Sequence, residues 1–258
     1  MHDLLQPAQA LQRIATHEVA GARGQRLQAC LLQFDREAFD AAAFNALGIE
    51  CPPIVARSVM KRQAEFFFGR LAARIAMLAL GRPGVPVAIG PARQPLWPAG
   101  LTGSISHSQD LAAALVVETT RAQAVGIDVE RVACGTARDA LLAFGVDAGE
   151  AAYLKARSTR ELPFDTLLTL VFSAKESLFK GAFDKVGRYF DFLAARVCDI
   201  DPQGRQLTLE LQEHLCTEFP KGRHCRVSFD LLRQDMVFTA FVQEFSTDPF
   251  PFGIHQET

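Results

Sequence analysis

The segment Val125-Gly126-Ile127-Asp128-Val129-Glu130 admits few conformations. Apolar β-branched residues at every second position, with a glycine and two acids between them, fit a strand whose side chains alternate faces. Val125, Ile127 and Val129 then point one way, and Asp128 and Glu130 the other. Two carboxylates side by side repel each other unless a cation or a proton sits between them. A second segment, Phe172-Ser173-Ala174-Lys175-Glu176-Ser177-Leu178-Phe179-Lys180, reads as helix. Leu168, Phe172, Phe179 and Phe183 form its apolar stripe. Glu176 lies at the stripe's edge, about 40° from Phe172, with Lys180 about 40° further round. A carboxylate placed there is partly desolvated, which is costly unless it is paired or bound to metal. Lys175 falls inside the apolar arc.

Three acids with lysines nearby suit Mg2+ and a phosphate-bearing ligand, because both interactions are between hard charges. From these residues alone a plainer reading stays open. Asp128 and Glu130 would line the solvent face of a half-buried strand, Glu176 and Lys180 would be a surface i, i+4 pair, and Lys175 would snorkel.

The surrounding pattern is α+β. Leu27 to Phe34 predicts a buried strand, and Asp35 caps a short helix running to about Leu47. Cys51-Pro52-Pro53 breaks the chain. Ile54 to Leu80 predicts one long helix, ended by Gly81-Arg82-Pro83-Gly84. Pro91 to Gly100 is an irregular loop holding Arg93, Gln94 and Trp97. Thr102 to Ser106 and Leu111 to Glu118 predict strands, with His107-Ser108-Gln109-Asp110 as the turn between them. The acidic strand runs from Ala124 to Glu130. Asp147-Ala148-Gly149-Glu150 has the form of a capping box, and a second long helix runs from about Pro163 to Lys185. Strands follow at Arg196 to Ile200, Gln206 to Gln212, Arg226 to Leu232 and Met236 to Glu244, and the tail after Phe245 is expected to pack loosely. Each half thus offers a long helix and several strands, with the join near Thr120, although no residue-level repeat relates them.

Bulk properties exclude several classes. With 258 residues, 49% of them hydrophobic and 22% charged, the chain can bury a sizeable core. The formal net charge of −2 gives no basic balance of the kind nucleic-acid binding uses. No apolar run is long enough to span a bilayer, and Met1 to Pro7 lacks the pattern of a signal peptide. Cys30, Cys51, Cys134, Cys198, Cys216 and Cys225 form no CxxC pair or regular framework. They read as reduced, mostly buried thiols, and a cytoplasmic home is expected.

Taken in order, Ser104-Ile105-Ser106-His107-Ser108, Gly126-Ile127-Asp128-Val129-Glu130 and Phe172-Ser173-Ala174-Lys175-Glu176-Ser177 with Lys180 resemble the 4'-phosphopantetheinyl transferases, in their larger monomeric form. The resemblance extends from Lys61 through Arg93-Gln94-Pro95-Leu96-Trp97-Pro98 to Val186-Gly187-Arg188-Tyr189-Phe190. It implies a pseudo-twofold fold of two similar α/β halves, residues 1–120 and 121–258, with a coenzyme A cleft between them and a monomeric chain. It also implies Asp128, Glu130 and Glu176 as magnesium ligands, Glu176 as the base, and Lys180 as a contact to coenzyme A phosphate. Ser106, His107, Asp128, Arg62 and Arg93 are the other residues it implies at coenzyme A, with His107 at the 3'-phosphate. Two positions depart from the common pattern: Phe172 stands where many members carry tryptophan, and Gln94 where many carry lysine, which shifts weight to Arg93.

The implied reaction moves the phosphopantetheine arm of coenzyme A to a serine of an acyl or peptidyl carrier protein and releases 3',5'-ADP. Leu178, Phe179 and Gly187 to Phe192 are the expected carrier dock. Two rivals use the same residues: a Mg2+-dependent hydrolase of a nucleotide pyrophosphate, and a non-catalytic protein that binds coenzyme A or a carrier protein.

Overall fold

A computed structural model describes residues 10–21 and 25–244. The expectations for Met1 to Pro7 and for the tail after Phe245 lie outside the described residues. In chain order the elements are β1 (Leu11–Ala20), β2 (Arg26–Phe34), α1 (Ala42–Ala46), α2 (Pro53–Ala56), α3 (Met60–Ala79), β3 (Ala88–Ile89) and β4 (Pro95–Leu96). Next come β5 (Leu101–Ser108), β6 (Leu111–Glu118), β7 (Ala124–Arg131), α4 (Gly135–Ala140), a π-helical turn (Leu141–Gly145), α5 (Ala148–Arg157) and α6 (Phe164–Val186). A 3-10 turn (Phe192–Ala194), β8 (Ala195–Asp201), β9 (Gln206–Leu211), β10 (His224–Arg233) and β11 (Met236–Gln243) complete the chain.

Two antiparallel sheets result, ordered β1-β2-β6-β5 and β7-β11-β10-β9-β8, beside a small β3-β4 ribbon. The sheets pack back to back. Leu27, Ala29 and Leu31 of β2 and Ala113, Leu115 and Val117 of β6 meet Val125, Ile127 and Val129 of β7 and Phe238 and Ala240 of β11 in one core. The outer face of the first sheet is covered by α3, through Phe67, Phe68, Leu71 and Met77. The outer face of the second is covered by α6, through Leu167, Leu168, Leu170, Val171, Ala174 and Leu178. Period-two alternation explains the division, since each buried strand offers one apolar face to the partner sheet and the other to its helix. Edge strands β5 and β7 lie against each other, so the seam between the sheets runs along the segment that carries Ser106 and His107 and the segment that carries Asp128 and Glu130.

Several expectations need correction. The predicted helix from Ile54 to Leu80 is two helices, because Ser58 turns back, its hydroxyl donating to the Val55 carbonyl, and Val59 is extended at φ −64°, ψ 151°. The predicted helix from Asp35 to Leu47 shrinks to Ala42–Ala46, with Asp35 and Asp40 each spent on a local side-chain turn instead. His107 is not in a turn: β5 continues through Ser108, and the turn is Gln109-Asp110, with Gln109 at φ 49°. Only half of the capping box forms, with Asp147 accepting the Glu150 N–H while the Glu150 side chain turns inward. The cysteines are unpaired, but Cys134 and Cys198 are exposed and only Cys30 and Cys225 are buried. No helix among the described residues is long and apolar enough to cross a membrane.

Candidate active site

Beside the seam, β7 and α6 approach each other closely. Gly126 faces the helix backbone at Ser177 and Gly181, where a larger side chain would collide. Asp128, two residues on, shares that face and is 3% exposed. Its carboxylate is fully engaged. Oδ1 accepts from Ser106 Oγ at 2.9 Å and from Lys180 Nζ at 2.7 Å, and Oδ2 accepts from Ser173 Oγ at 2.9 Å. Lys180 also donates to the Ile127 carbonyl and to Ser106 Oγ, each at 3.2 Å. Ser106 Oγ in turn accepts the Val129 N–H at 3.2 Å. Ser173 and Ser177 both reach Thr239 Oγ1 on β11, at 2.9 and 2.7 Å. A buried carboxylate with this many charged and hydroxyl donors is satisfied rather than stranded.

Glu130 and Glu176 complete the acidic group. Burial, then the neighbouring Asp128, push the Glu130 carboxyl up to about 7; Glu176 adds to the rise and Lys180 opposes it. Burial likewise raises Glu176, against Lys180 and with Asp128. The plainer readings of these residues are therefore corrected. Asp128 is buried, Lys180 bonds Asp128 on the neighbouring strand instead of Glu176, and Lys175 is buried instead of snorkelling. Lys175 Nζ bonds Glu150 Oε2 at 2.6 Å.

The next residue along β5 faces the other way. His107 points to α3, where its Nε2 lies 2.9 Å from Arg62 and its Nδ1 3.7 Å from Glu65. Burial holds its imidazole below the usual range, with Glu65 opposing and Arg62 and Lys180 adding to the fall. A neutral ring accepts the Arg62 N–H. Arg62, Arg70, Arg93 and His107 line one cavity of about 210 Å³, together with Phe66 and Ile105. Arg93 reaches it from a loop position at φ 67°, and Gln94 turns away to accept the Ala92 N–H at 3.0 Å. Arg70, which from sequence reads only as a solvated helix arginine, joins them. Its Nε–H is buried without a partner, and burial lowers its pKa to about 10. The signal was its spacing: Arg62, Phe66 and Arg70 follow at i, i+4, i+8 on one helix face.

The eight expected site residues thus fall into two groups on either side of β5. Ser106, Asp128, Glu130, Glu176 and Lys180 form the acidic group, and Arg62, Arg93 and His107 the basic cavity. Among the described residues no three His, Cys, Asp or Glu side chains close to ion-binding spacing. The donor set nevertheless suits a divalent cation in kind, since all three side chains offer hard carboxylate oxygens and Asp128 raises the pKa of both Glu130 and Glu176. Of the expected carrier dock, Leu178 is corrected: it is fully buried in the α6 core. Tyr189 is exposed, stacked on Phe179 at 5.5 Å, and donates its hydroxyl to the Ala92 carbonyl at 3.1 Å across the seam.

Two back-to-back sheets, each with an outer helix, thus place a group of acids with Lys180 on one side of β5 and a basic cavity on the other. A family profile described as the 4'-phosphopantetheinyl transferase N-terminal domain matches residues 51–117, and one described as the 4'-phosphopantetheinyl transferase superfamily matches residues 124–229. The chain belongs to the 4'-phosphopantetheinyl transferase superfamily. It is similar to enterobactin synthase component D of Salmonella typhi, 40% identical over 57% of this chain and 61% of the relative. It is similar also to the 4'-phosphopantetheinyl transferase Svp of Streptomyces mobaraensis, 36% identical over 61% of this chain and 62% of the relative. A third relative is the 4'-phosphopantetheinyl transferase PptT of Mycobacterium tuberculosis, 34% identical over 56% of this chain and 62% of the relative. The match spans about three-fifths of each relative's length.

Proposed function

We propose that this protein transfers the 4'-phosphopantetheine arm of coenzyme A to a serine of an acyl or peptidyl carrier protein, releasing 3',5'-ADP. The observation that carries the reading is the placement of consecutive residues of β5. Ser106 joins the Asp128–Lys180 group on one face, and His107 joins Arg62 and the cavity holding Arg93 on the other. A nucleotide with a 3'-phosphate and a pyrophosphate needs such a pair of sites within one molecule's length.

The basic cavity binds the 3'-phosphate through Arg62, Arg93 and His107, with Arg70 beneath. Lys180 moves from Asp128 to the pyrophosphate and stabilises charge on the departing phosphate. Glu176, its carboxyl made more basic by burial, accepts the proton of the carrier's serine. Asp128, Glu130 and Glu176 are the residues that would hold Mg2+, which when bound supplies neutralisation of the pyrophosphate charge. Residues 1–120 then form the nucleotide side and residues 121–258 the acidic and carrier side. The exposed Tyr189 within Gly187 to Phe192 offers the carrier its apolar contact. Both sides of the cleft come from one chain, so a monomer suffices, and six unpaired thiols fit the reducing cytoplasm.

The test is the intact mass of an apo carrier protein incubated with this protein, coenzyme A and Mg2+. A gain equal to the arm, lost with Glu176→Ala or when the carrier's serine is removed, is the expected result. No gain on fatty-acid, polyketide or peptide carriers, with the protein folded, would overturn the reading. Release of 3',5'-ADP without a carrier product would point to the hydrolase instead.

A further inference from the structure

The most deeply buried charges in the described residues do not belong to the acidic group. Lys175 and Glu150 have side chains 2% and 1% exposed, and Lys175 Nζ donates to Glu150 Oε2 at 2.6 Å. Lys175 also donates to the Gly145 carbonyl at 2.9 Å, and Glu150 Oε1 accepts the Val197 N–H at 2.7 Å. One lysine of α6 therefore ties down the end of the π-helical turn, the first turn of α5 and, through Glu150, the start of β8. Apolar residues of the same volume would fill this space at less desolvation cost, so packing alone does not account for the pair.

We propose that the Lys175–Glu150 pair is a positioning device that sets the roll of α6 and so aims Glu176. It rests on the transferase reading above. Consecutive helix residues lie about 100° apart, so Glu176 stands about 100° from Lys175 on one side. On the other side, Ser173 and Ser177 lie about 60° and 100° from it and bind Thr239 on β11. Polar grips on both flanks hold the helix against rotation, with Glu176 between them. No hydrogen bond among the described residues fixes the Glu176 carboxylate itself, so its direction follows the helix. At the roughly 6 Å radius of a side-chain tip, a roll of about 10° moves it about 1 Å. Displacements of that size are enough to cost a reaction tenfold to a hundredfold. The clamp also secures Gly145, beside the exposed Phe144, so the π-helical turn is held to α6.

The decisive variant is Lys175→Met with Glu150→Gln, which removes both charges, keeps the volume and leaves Val197 an acceptor. It is compared with wild type by thermal unfolding, by steady-state arm transfer, and by a crystal structure. The expected result is a Tm close to wild type, kcat lowered about tenfold with KM for coenzyme A within about twofold, and the Glu176 carboxylate displaced by about 1 Å relative to Asp128. A purely structural role predicts the reverse: kcat unchanged wherever Tm is retained, and a Glu176 carboxylate that superimposes on wild type. Either finding overturns the proposal. The displacement is read without turnover, so a wild type that transfers no arm would refute the transferase reading while the crystal structure still judges the clamp.

Discussion

A methyl group at Gly126 is the smallest change that should pull the candidate site apart. A Cβ built there would overlap the Ser177 carbonyl oxygen and stand 2.5 Å from the Gly181 nitrogen, where ordinary contact begins at 3.4 Å. Both obstacles are helix backbone and the Ser177 oxygen is the nearer, so α6 itself has to retreat by more than the roughly 0.9 Å that would clear the Gly181 nitrogen. A retreat of that size stretches the 2.7 Å Lys180–Asp128 contact to about 3.6 Å, beyond hydrogen-bond reach. Overpacking of this kind costs about 1–3 kcal/mol, and at this chain length each kcal/mol lowers Tm by about 2–4 °C. The same retreat displaces Lys180 and Glu176 from Asp128 by about an ångström, and misplacement of that size costs roughly ten- to a hundredfold in rate. Gly126→Ala is therefore expected to stay folded with a lowered Tm and to transfer the arm at least about tenfold more slowly. Differential scanning calorimetry and a mass-based transfer assay check both numbers. A variant with wild-type Tm and wild-type rate would refute the idea that close approach of β7 to α6 assembles the site.

Other outcomes follow from the same geometry. Glu176→Gln should lower kcat by about 10²–10⁴-fold with KM for coenzyme A little changed, measured by single-turnover transfer. Chelation of divalent ions should abolish transfer, and added Mg2+ should restore it. Arg62→Ala and His107→Ala should each raise KM for coenzyme A about tenfold or more, and should barely alter KM for dephospho-coenzyme A, which lacks the 3'-phosphate. A pH effect on stability is expected at His17, whose ring packs edge-on against Phe238 across the two sheets at 4.8 Å. Burial first, then Arg205, hold its imidazole below 6.5, with Glu18 opposing. The unfolded chain therefore takes up a proton that the native one refuses. The stability this contributes is fully present above pH 6.5 and is lost as pH falls through the native pKa. His17→Phe should flatten Tm against pH over that interval.

Legibility in the sequence followed the range of the forces involved. The acidic strand was readable because period two is a local property: Val125, Ile127 and Val129 do enter the inter-sheet core while Asp128 faces α6. The second long helix was readable to within a residue for the same reason. β1 was not, because its residues alternate poorly and only pairing with β2 makes Leu11–Ala20 a strand. The reach of β5 through His107 was hidden too, since the hydrogen bonds extending it come from Leu111 and Ala112 of β6.

The sequence by itself determined the secondary elements that carry chemistry, the acids and basic residues among them, and the superfamily their order resembles. Only the tertiary structure decided what those residues do to one another. It turned Lys180 from a partner of Glu176, four residues away, into the partner of Asp128, 52 residues away. It also turned Lys175 from a snorkelling side chain into half of a buried pair with Glu150. Pairing of this kind depends on which surfaces the core brings together and strips of water, and desolvation depends on the whole fold.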